Sequence, residues 1–81
     1  MRTVTIYSRP GCHLCEEALT TLARLQARAS FEVHEINIEA NDALHARYLE
    51  RIPVIALDGE ELFDFFVDEQ ALRAALRSAV P

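Results

Sequence analysis

Residues 3–7, Thr-Val-Thr-Ile-Tyr, alternate with period two and are rich in β-branched side chains, so they read as a strand. The strand runs into Ser8-Arg9-Pro10-Gly11, a cluster of breakers, and a helical pattern starts at Cys12. This strand–Pro-Gly–helix junction limits the possible folds more than any other feature. A strand followed at once by a helix calls for a second strand parallel to the first, joined by a right-handed crossover. That strand is residues 31–38, Phe-Glu-Val-His-Glu-Ile-Asn-Ile. Its apolar phase shifts between Val33 and Ile36, as a strand buried on both faces or a bulge would require.

The first helix is expected from Cys12 to about Arg28. Cys15, Leu19, Leu22 and Ala23, then Leu25 or Gln26, follow one face. Glu16 and Glu17 in its first turn and Arg24 and Arg28 later suit the helix dipole. Asn41 or Asp42 caps a short helix reaching about Leu49, with Leu44 and Tyr48 on one face. Val54-Ile55-Ala56-Leu57 is a third strand, and Asp58-Gly59 is a hairpin turn signal before a short fourth strand containing Glu61-Leu62-Phe63. A last helix is expected from about Glu69 to Ala79, capped by Asp68. Val67 and Leu72 would form a hydrophobic staple, and Leu72, Ala75, Leu76 and Ala79 a buried stripe. The order is β-α-β-α-β-β-α. A parallel crossover plus an antiparallel hairpin makes a four-stranded mixed sheet, and helices must cover both of its faces: an α/β chain.

At 81 residues the chain is read as one domain, residues 1–81. A chain this short buries only about 60–65% of the surface its unfolded form exposes, so its core must be efficient. With 51% hydrophobic residues it has the material. The net charge of −5 and the absence of a basic stripe argue against nucleic-acid binding. No run approaches the roughly 18–20 apolar residues of a membrane span. The N-terminus enters a strand pattern without the charged and apolar regions of a signal peptide, so a cytoplasmic location is the expectation. In that compartment two cysteines point to redox or metal chemistry rather than to a structural staple.

Cys12-His13-Leu14-Cys15 opens the first helix. Residues three apart lie near one another on a helix, so the two sulfurs can reach disulfide distance. Cys12 would meet the unpaired backbone N–H groups of the helix start, which favour thiolate over thiol. Cys15, one turn in, would be more buried and stay protonated until exchange begins. Cys12 is therefore the expected nucleophile and Cys15 the resolving thiol. Two ordinary buried thiols are one alternative. A zinc site is another, but zinc wants four ligands, and His34 and His45 have no evident spacing to join Cys12, Cys15 and His13.

Tyr7-Ser8-Arg9-Pro10-Gly11-Cys12-His13-Leu14-Cys15 resembles the active-site stretch of glutaredoxins, and still more closely that of small bacterial glutaredoxin-like proteins with a Cys-His-Leu-Cys-Glu pattern. Arg51-Ile52-Pro53-Val54 resembles the second landmark of that family, a cis-proline opening the third strand. The resemblance covers nearly the whole chain. It implies a minimal thioredoxin fold and a thiol–disulfide oxidoreductase that reduces protein disulfides or glutathione mixed disulfides. It also implies that Pro53 is cis and lies across from Cys12, with the backbone of Ile52 offered to a peptide or to glutathione.

Three departures bear on the substrate. Leu14 stands where glutathione-binding members usually carry an aromatic residue, and Arg51-Ile52 where they carry Thr-Val. Leu62-Phe63-Asp64-Phe65-Phe66-Val67 replaces a turn containing Gly-Gly. Glutathione is expected to bind weakly. The expected substrate-binding residues are Arg9, His13, Leu14, Arg51, Ile52 and Pro53. Arg9 is read either as a partner of the thiolate or of a substrate carboxylate, or as a plain surface arginine. His13 is read either as a charged neighbour that activates Cys12 or as a solvated residue of the helix start. Tyr7 is expected to pack on the sheet, and Phe63, Phe65 and Phe66 to fill space between the last strand and the last helix. No metal and no cofactor beyond the Cys12–Cys15 pair is expected. The expected partners are protein disulfides and a thiol electron donor, either a thioredoxin-reductase-like protein or glutathione, acting on a monomer. A non-catalytic binding or adaptor module on the same fold is the competing reading.

Overall fold

In the computed structural model, residues 2–77 are described. The sheet has the order β2-β1-β3-β4. β1 (Arg2–Ser8) is flanked by β2 (Phe31–Asn37) in parallel and by β3 (Val54–Leu57) antiparallel, and β4 (Glu60–Asp64) closes the far side antiparallel to β3. Three α-helices, α1 (His13–Gln26), α2 (Asp42–Tyr48) and α3 (Glu69–Arg77), and a 3-10 turn at Ile38–Ala40 complete the expected order.

Side-chain alternation divides the core between the two faces of the sheet. Val4, Ile6, Ile55 and Leu57 face one way and pack with Ala18, Leu22 and Leu25 of α1 and Leu72 of α3. Val54 faces the other way, where Ile38 and Tyr48 of the α2 region pack with it and Tyr7 lies against them. All four residues of β3 are buried, which explains the unbroken apolar run Val-Ile-Ala-Leu. The fold is therefore α/β, with a four-stranded mixed sheet and helices on both faces.

Some boundaries differ from the sequence expectation. Ile38 lies outside β2, because the Asn37 side chain accepts the Glu39 N–H and starts the 3-10 turn. The phase shift in β2 is neither a bulge nor burial on both faces: its pairing with β1 is unbroken from Phe31 to Asn37, and at the sheet edge only Phe31 is buried, with Val33 and Ile36 half-buried. The irregularity lies instead between Ile55 and Ala56 in the β3–β4 pair. The buried stripe of α1 is Cys15, Ala18, Leu22 and Leu25, and Ala23 points to solvent. Asn41 caps α2 by accepting the N–H groups of Ala43 and Leu44. Asp68 caps α3 by accepting that of Ala71, and Val67 joins Leu72 in the core as the staple requires. The expected extension of the last helix to Ala79 falls outside the described residues.

The hairpin turn is formed by Asp58 at φ 49° and Gly59 at φ 90°, the paired positive values of a two-residue turn that matches strand twist. It is tied to β1. The Asp58 carboxylate accepts from Thr3 N–H and Arg2 Nε, and the Asp58 N–H donates to the Thr3 carbonyl. On the α1–α3 face an Arg24–Glu69 ion pair joins the two helices over the core.

Leu22 is fully buried between α1 and the sheet. Leu22→Ala should lower unfolding free energy by about 2–5 kcal/mol, read from the urea midpoint at an unchanged m-value. A loss under about 1 kcal/mol would mean that the face carrying α1 does not bear the core.

Candidate active site

One end of the sheet collects the chemistry. Tyr7 pairs with Val54, Ser8 with Asn37, and Val54 with Asp64. The C-terminal ends of β1, β2 and β4 therefore meet the N-terminal end of β3. The loop Arg9–Gly11 leaves β1 there, and α1 starts there. Gly11 adopts φ 78°, a left-handed turn that frees the chain to reverse into the helix. The Ile52–Pro53 bond, just before β3, is cis as the resemblance implied.

Cys12 is the N-cap of α1 and Cys15 lies in its first turn. They form a disulfide with a Cα–Cα distance of 5.2 Å, within the usual range for such a bridge. The Cys12 sulfur accepts the Cys15 N–H at 3.2 Å. Cys12 is partly exposed, whereas Cys15 is 2% exposed. The helix start thus gives one sulfur an N–H donor and a route to solvent, and the other a place in the core.

A cleft of about 370 Å³ opens beside the disulfide, lined by both cysteines and by Ser8, Arg9, Glu35 and Asn37 among others. Ser8 is the buried polar side chain of the described residues, and its hydroxyl donates to Glu35 Oε2 at 2.8 Å. Glu35 and Asn37 carry no sequence signal for this site, because only strand register brings the end of β2 to the cysteines.

The other expected residues are distributed around this end. Arg9 is exposed, lines the cleft and pairs with Glu39 at 3.2 Å. His13 is exposed and lies 2.9 Å from Glu17, one helical turn on. Leu14 projects from α1 into solvent. Ile52 is half-buried against the Tyr48 cluster, and Pro53 is buried. Arg51 is committed elsewhere. It grips Asp64 with two donors, Nε at 3.1 Å and Nη2 at 3.0 Å, and reaches Glu61 at 2.6 Å. The Glu61 carboxylate also accepts from the Tyr48 hydroxyl at 2.8 Å. Tyr7 packs as expected, stacking on Tyr48 with ring centroids 4.4 Å apart. Among the described residues, no group of three or more His, Cys, Asp or Glu comes together as a metal site.

The phenylalanines correct the sequence reading. Phe63 packs against the core, but Phe65 and Phe66 are exposed. β4 ends at Asp64, and Phe65 turns the chain with φ 74°, so neither following ring reaches the space between strand and helix. The Phe65 N–H donates to the Pro53 carbonyl at 2.7 Å, which ties this corner to the cis-proline.

A mixed sheet covered on both faces, a Cys-x-x-Cys disulfide at the first helix start and a cis-proline before the neighbouring strand define a thioredoxin-fold protein. The sequence matches the Glutaredoxin-like domain (DUF836) over residues 3–77, and the chain belongs to that family. An uncharacterized protein of Mycobacterium tuberculosis is 34% identical over 76 residues, covering 88% of this chain and 78% of that protein. The solution structure of protein Ne2328 from Nitrosomonas europaea is 39% identical with a TM-score of 0.83, covering 93% of this chain and 91% of that one. A mutant thioredoxin from Halobacterium salinarum, 24% identical with a TM-score of 0.68, covers 99% of this chain and 78% of its own, and it attests to the fold alone. Family, fold and disulfide together point to a redox function.

The network around Glu61 sets an acid limit on the fold. Hydrogen bonds from Arg51 and then from Tyr48 hold the Glu61 carboxyl below its ordinary value, while burial raises the Tyr48 hydroxyl. A depressed carboxyl adds stability that is complete above its unfolded value and is lost as pH falls through its folded one. The urea midpoint should therefore drop as pH falls from about 5 toward about 2, and Glu61→Gln should flatten part of that acid limb. An acid limb identical in the variant would remove Glu61 as a contributor.

Proposed function

We propose that the chain is a thiol–disulfide oxidoreductase of a reducing, cytoplasmic compartment, acting on protein disulfides, with Cys12 as nucleophile and Cys15 as resolving thiol. The observation that carries this reading is the asymmetry of the pair. Cys12 caps α1, accepts an N–H and reaches solvent, while Cys15 is sealed beneath it. Donors and the helix dipole stabilise a thiolate at Cys12, and the thiolate is the attacking form.

In the reduced protein the Cys12 thiolate attacks one sulfur of a substrate disulfide. A Cys12–substrate disulfide forms, and the first substrate thiolate leaves and takes a proton from solvent. Cys15 then loses its proton and attacks the Cys12 sulfur, which expels the second substrate thiolate and closes the Cys12–Cys15 disulfide. The substrate gains two electrons and the protein loses two. A thiol donor, thioredoxin-reductase-like or glutathione, restores them by the reverse exchange.

Protein disulfides are favoured over glutathione mixed disulfides for reasons of charge and shape. The two arginines expected at the site, Arg9 and Arg51, are shared with Glu39 and with Asp64 and Glu61. The corner at Phe65 and Phe66 is bulky, so a ligand backbone cannot approach it as it would approach glycines.

Cys15→Ser should accumulate a mixed disulfide on Cys12, detected by mass, because no thiol remains to release it. Cys12→Ser should trap far less and lose reduction of insulin. Full activity in both variants would exclude the mechanism.

Cys15→Ser titrated with oxidised glutathione and with a peptide disulfide should react preferentially with the peptide. Rapid, selective glutathionylation of Cys12 would make glutathione the substrate instead.

A further inference from the structure

Among the described residues the arginines divide into two groups. Arg2, Arg9, Arg24, Arg47 and Arg51 each pair with a carboxylate. Arg28, Arg73 and Arg77 form no ion pair with any described residue, and all three line one cleft of about 310 Å³. Its walls are the end of α1, the segment that follows it, and α3. The chain has 13 acidic residues for 8 basic ones, so carboxylates are not scarce. No described carboxylate lines this cleft.

Arginines near helix C-termini ordinarily serve the last carbonyls and the dipole. Here those carbonyls are engaged by other donors. Arg2 Nη1 donates to the Ala75 and Leu76 carbonyls at 2.8 and 3.2 Å. The Arg24 and Leu25 carbonyls accept from the N–H groups of Ala27, Arg28 and Ala29. Arg73 lies in the middle of α3, away from its end. It stands one turn from Arg77, a spacing at which like charges repel, and Arg28 adds a third positive charge to the same cleft. The arrangement is unfavourable until an anion joins it. The cleft lies at the end of α1 away from the cysteines, about 20 Å of helix from them. It shares no lining residue with the cleft beside the disulfide.

We infer that this cleft binds a small organic phosphate, a phosphate monoester on an apolar body. Arg28, Arg73 and Arg77 hold the phosphate, with the Ser30 hydroxyl as a further donor, and Leu25 and Leu76 carry the body. Charge selects the head group. A phosphate monoester brings about −1.5 to −2 charges and three acceptor oxygens at pH 7. Planar guanidinium forks match those oxygens, whereas a lone carboxylate offers a single charge to three cations. Size selects the rest. Whole small molecules take pockets of about 300–1,000 Å³, and this cleft stands at the lower end of that range. A nucleic acid or an acidic polypeptide would run on over a chain whose net charge is −5 and be repelled. The inference goes beyond the proposed function. No cysteine takes part in it, so either can fail alone.

The test titrates phenyl phosphate into the isotope-labelled, oxidised chain and follows the backbone amide shifts by NMR. Saturable shifts should appear at Arg28, Ser30, Arg73 and Arg77 and not at Cys12. Arg28→Gln and Arg73→Gln should each weaken binding about tenfold, the loss expected for one charge-assisted hydrogen bond. Arg47→Gln removes the same charge from α2, across the sheet, where salt screens it, and should leave the affinity within about twofold. All three arginines are exposed, so the changes leave the core intact, and circular dichroism of each variant checks the fold. Inorganic phosphate should bind several-fold more weakly, because it leaves Leu25 and Leu76 uncovered. No saturation at millimolar phenyl phosphate, or an equal loss in Arg47→Gln, would overturn the site. Equal binding of inorganic phosphate would overturn the organic ligand. Tighter binding of an acidic peptide would assign the cleft to a polypeptide and overturn the proposal.

Discussion

The antiparallel pairing of β1 with β3, Tyr7 opposite Val54, is the constraint on which the site depends. It sets the residue before β3, Pro53, beside the end of β1, from which the loop to Cys12 departs. It also fixes which face each side chain takes, because alternate residues point to opposite sides. A slip of one residue would move Ile6 and Ile55 out of the core beneath α1 and α3. The Asp58 turn restrains this register at the other end of the pair, through its bonds to Arg2 and Thr3.

Around the cis-proline, paired charges tie neighbouring backbone segments together. Arg51 is engaged by Asp64 and Glu61, and its guanidinium lies 5.4 Å from the Tyr48 ring centroid. Hydrogen bonds to the Asp64 and Glu61 carboxylates hold its proton more tightly than usual. The pair with Asp64 is bidentate, the geometry in which arginine binds a carboxylate most specifically. The network joins the segment before Pro53 to the end of β4, from which Phe65 reaches back to the Pro53 carbonyl. Arg51 thus serves the shape of the site from beside it.

Leu14, Phe65 and Phe66 present exposed apolar surface around a small cleft of their own. Ser8, Glu35 and Asn37 line a separate cleft together with both cysteines.

Local rules in the sequence determined most of the architecture. Period-two alternation marked β1, the Pro-Gly break placed the helix start at the cysteines, and Asp58-Gly59 could turn the chain only as a hairpin. Asn41 and Asp68 announced their helices because a side-chain acceptor satisfies N–H groups a few residues away. The Cys-x-x-Cys spacing likewise carried its own geometry. Contacts between distant segments were decided by the tertiary structure. The Ser8–Glu35 bond spans 27 residues and depends on the parallel register of β1 and β2. Arg51 resembled a free cation until the end of β4 brought Asp64 to it. Phe65 and Phe66 had the composition of core, yet the positive φ at Phe65 directs the chain so that both rings stay in water. Apolar character can be read from a residue type, but burial depends on which segment arrives opposite, and that is a property of the folded chain.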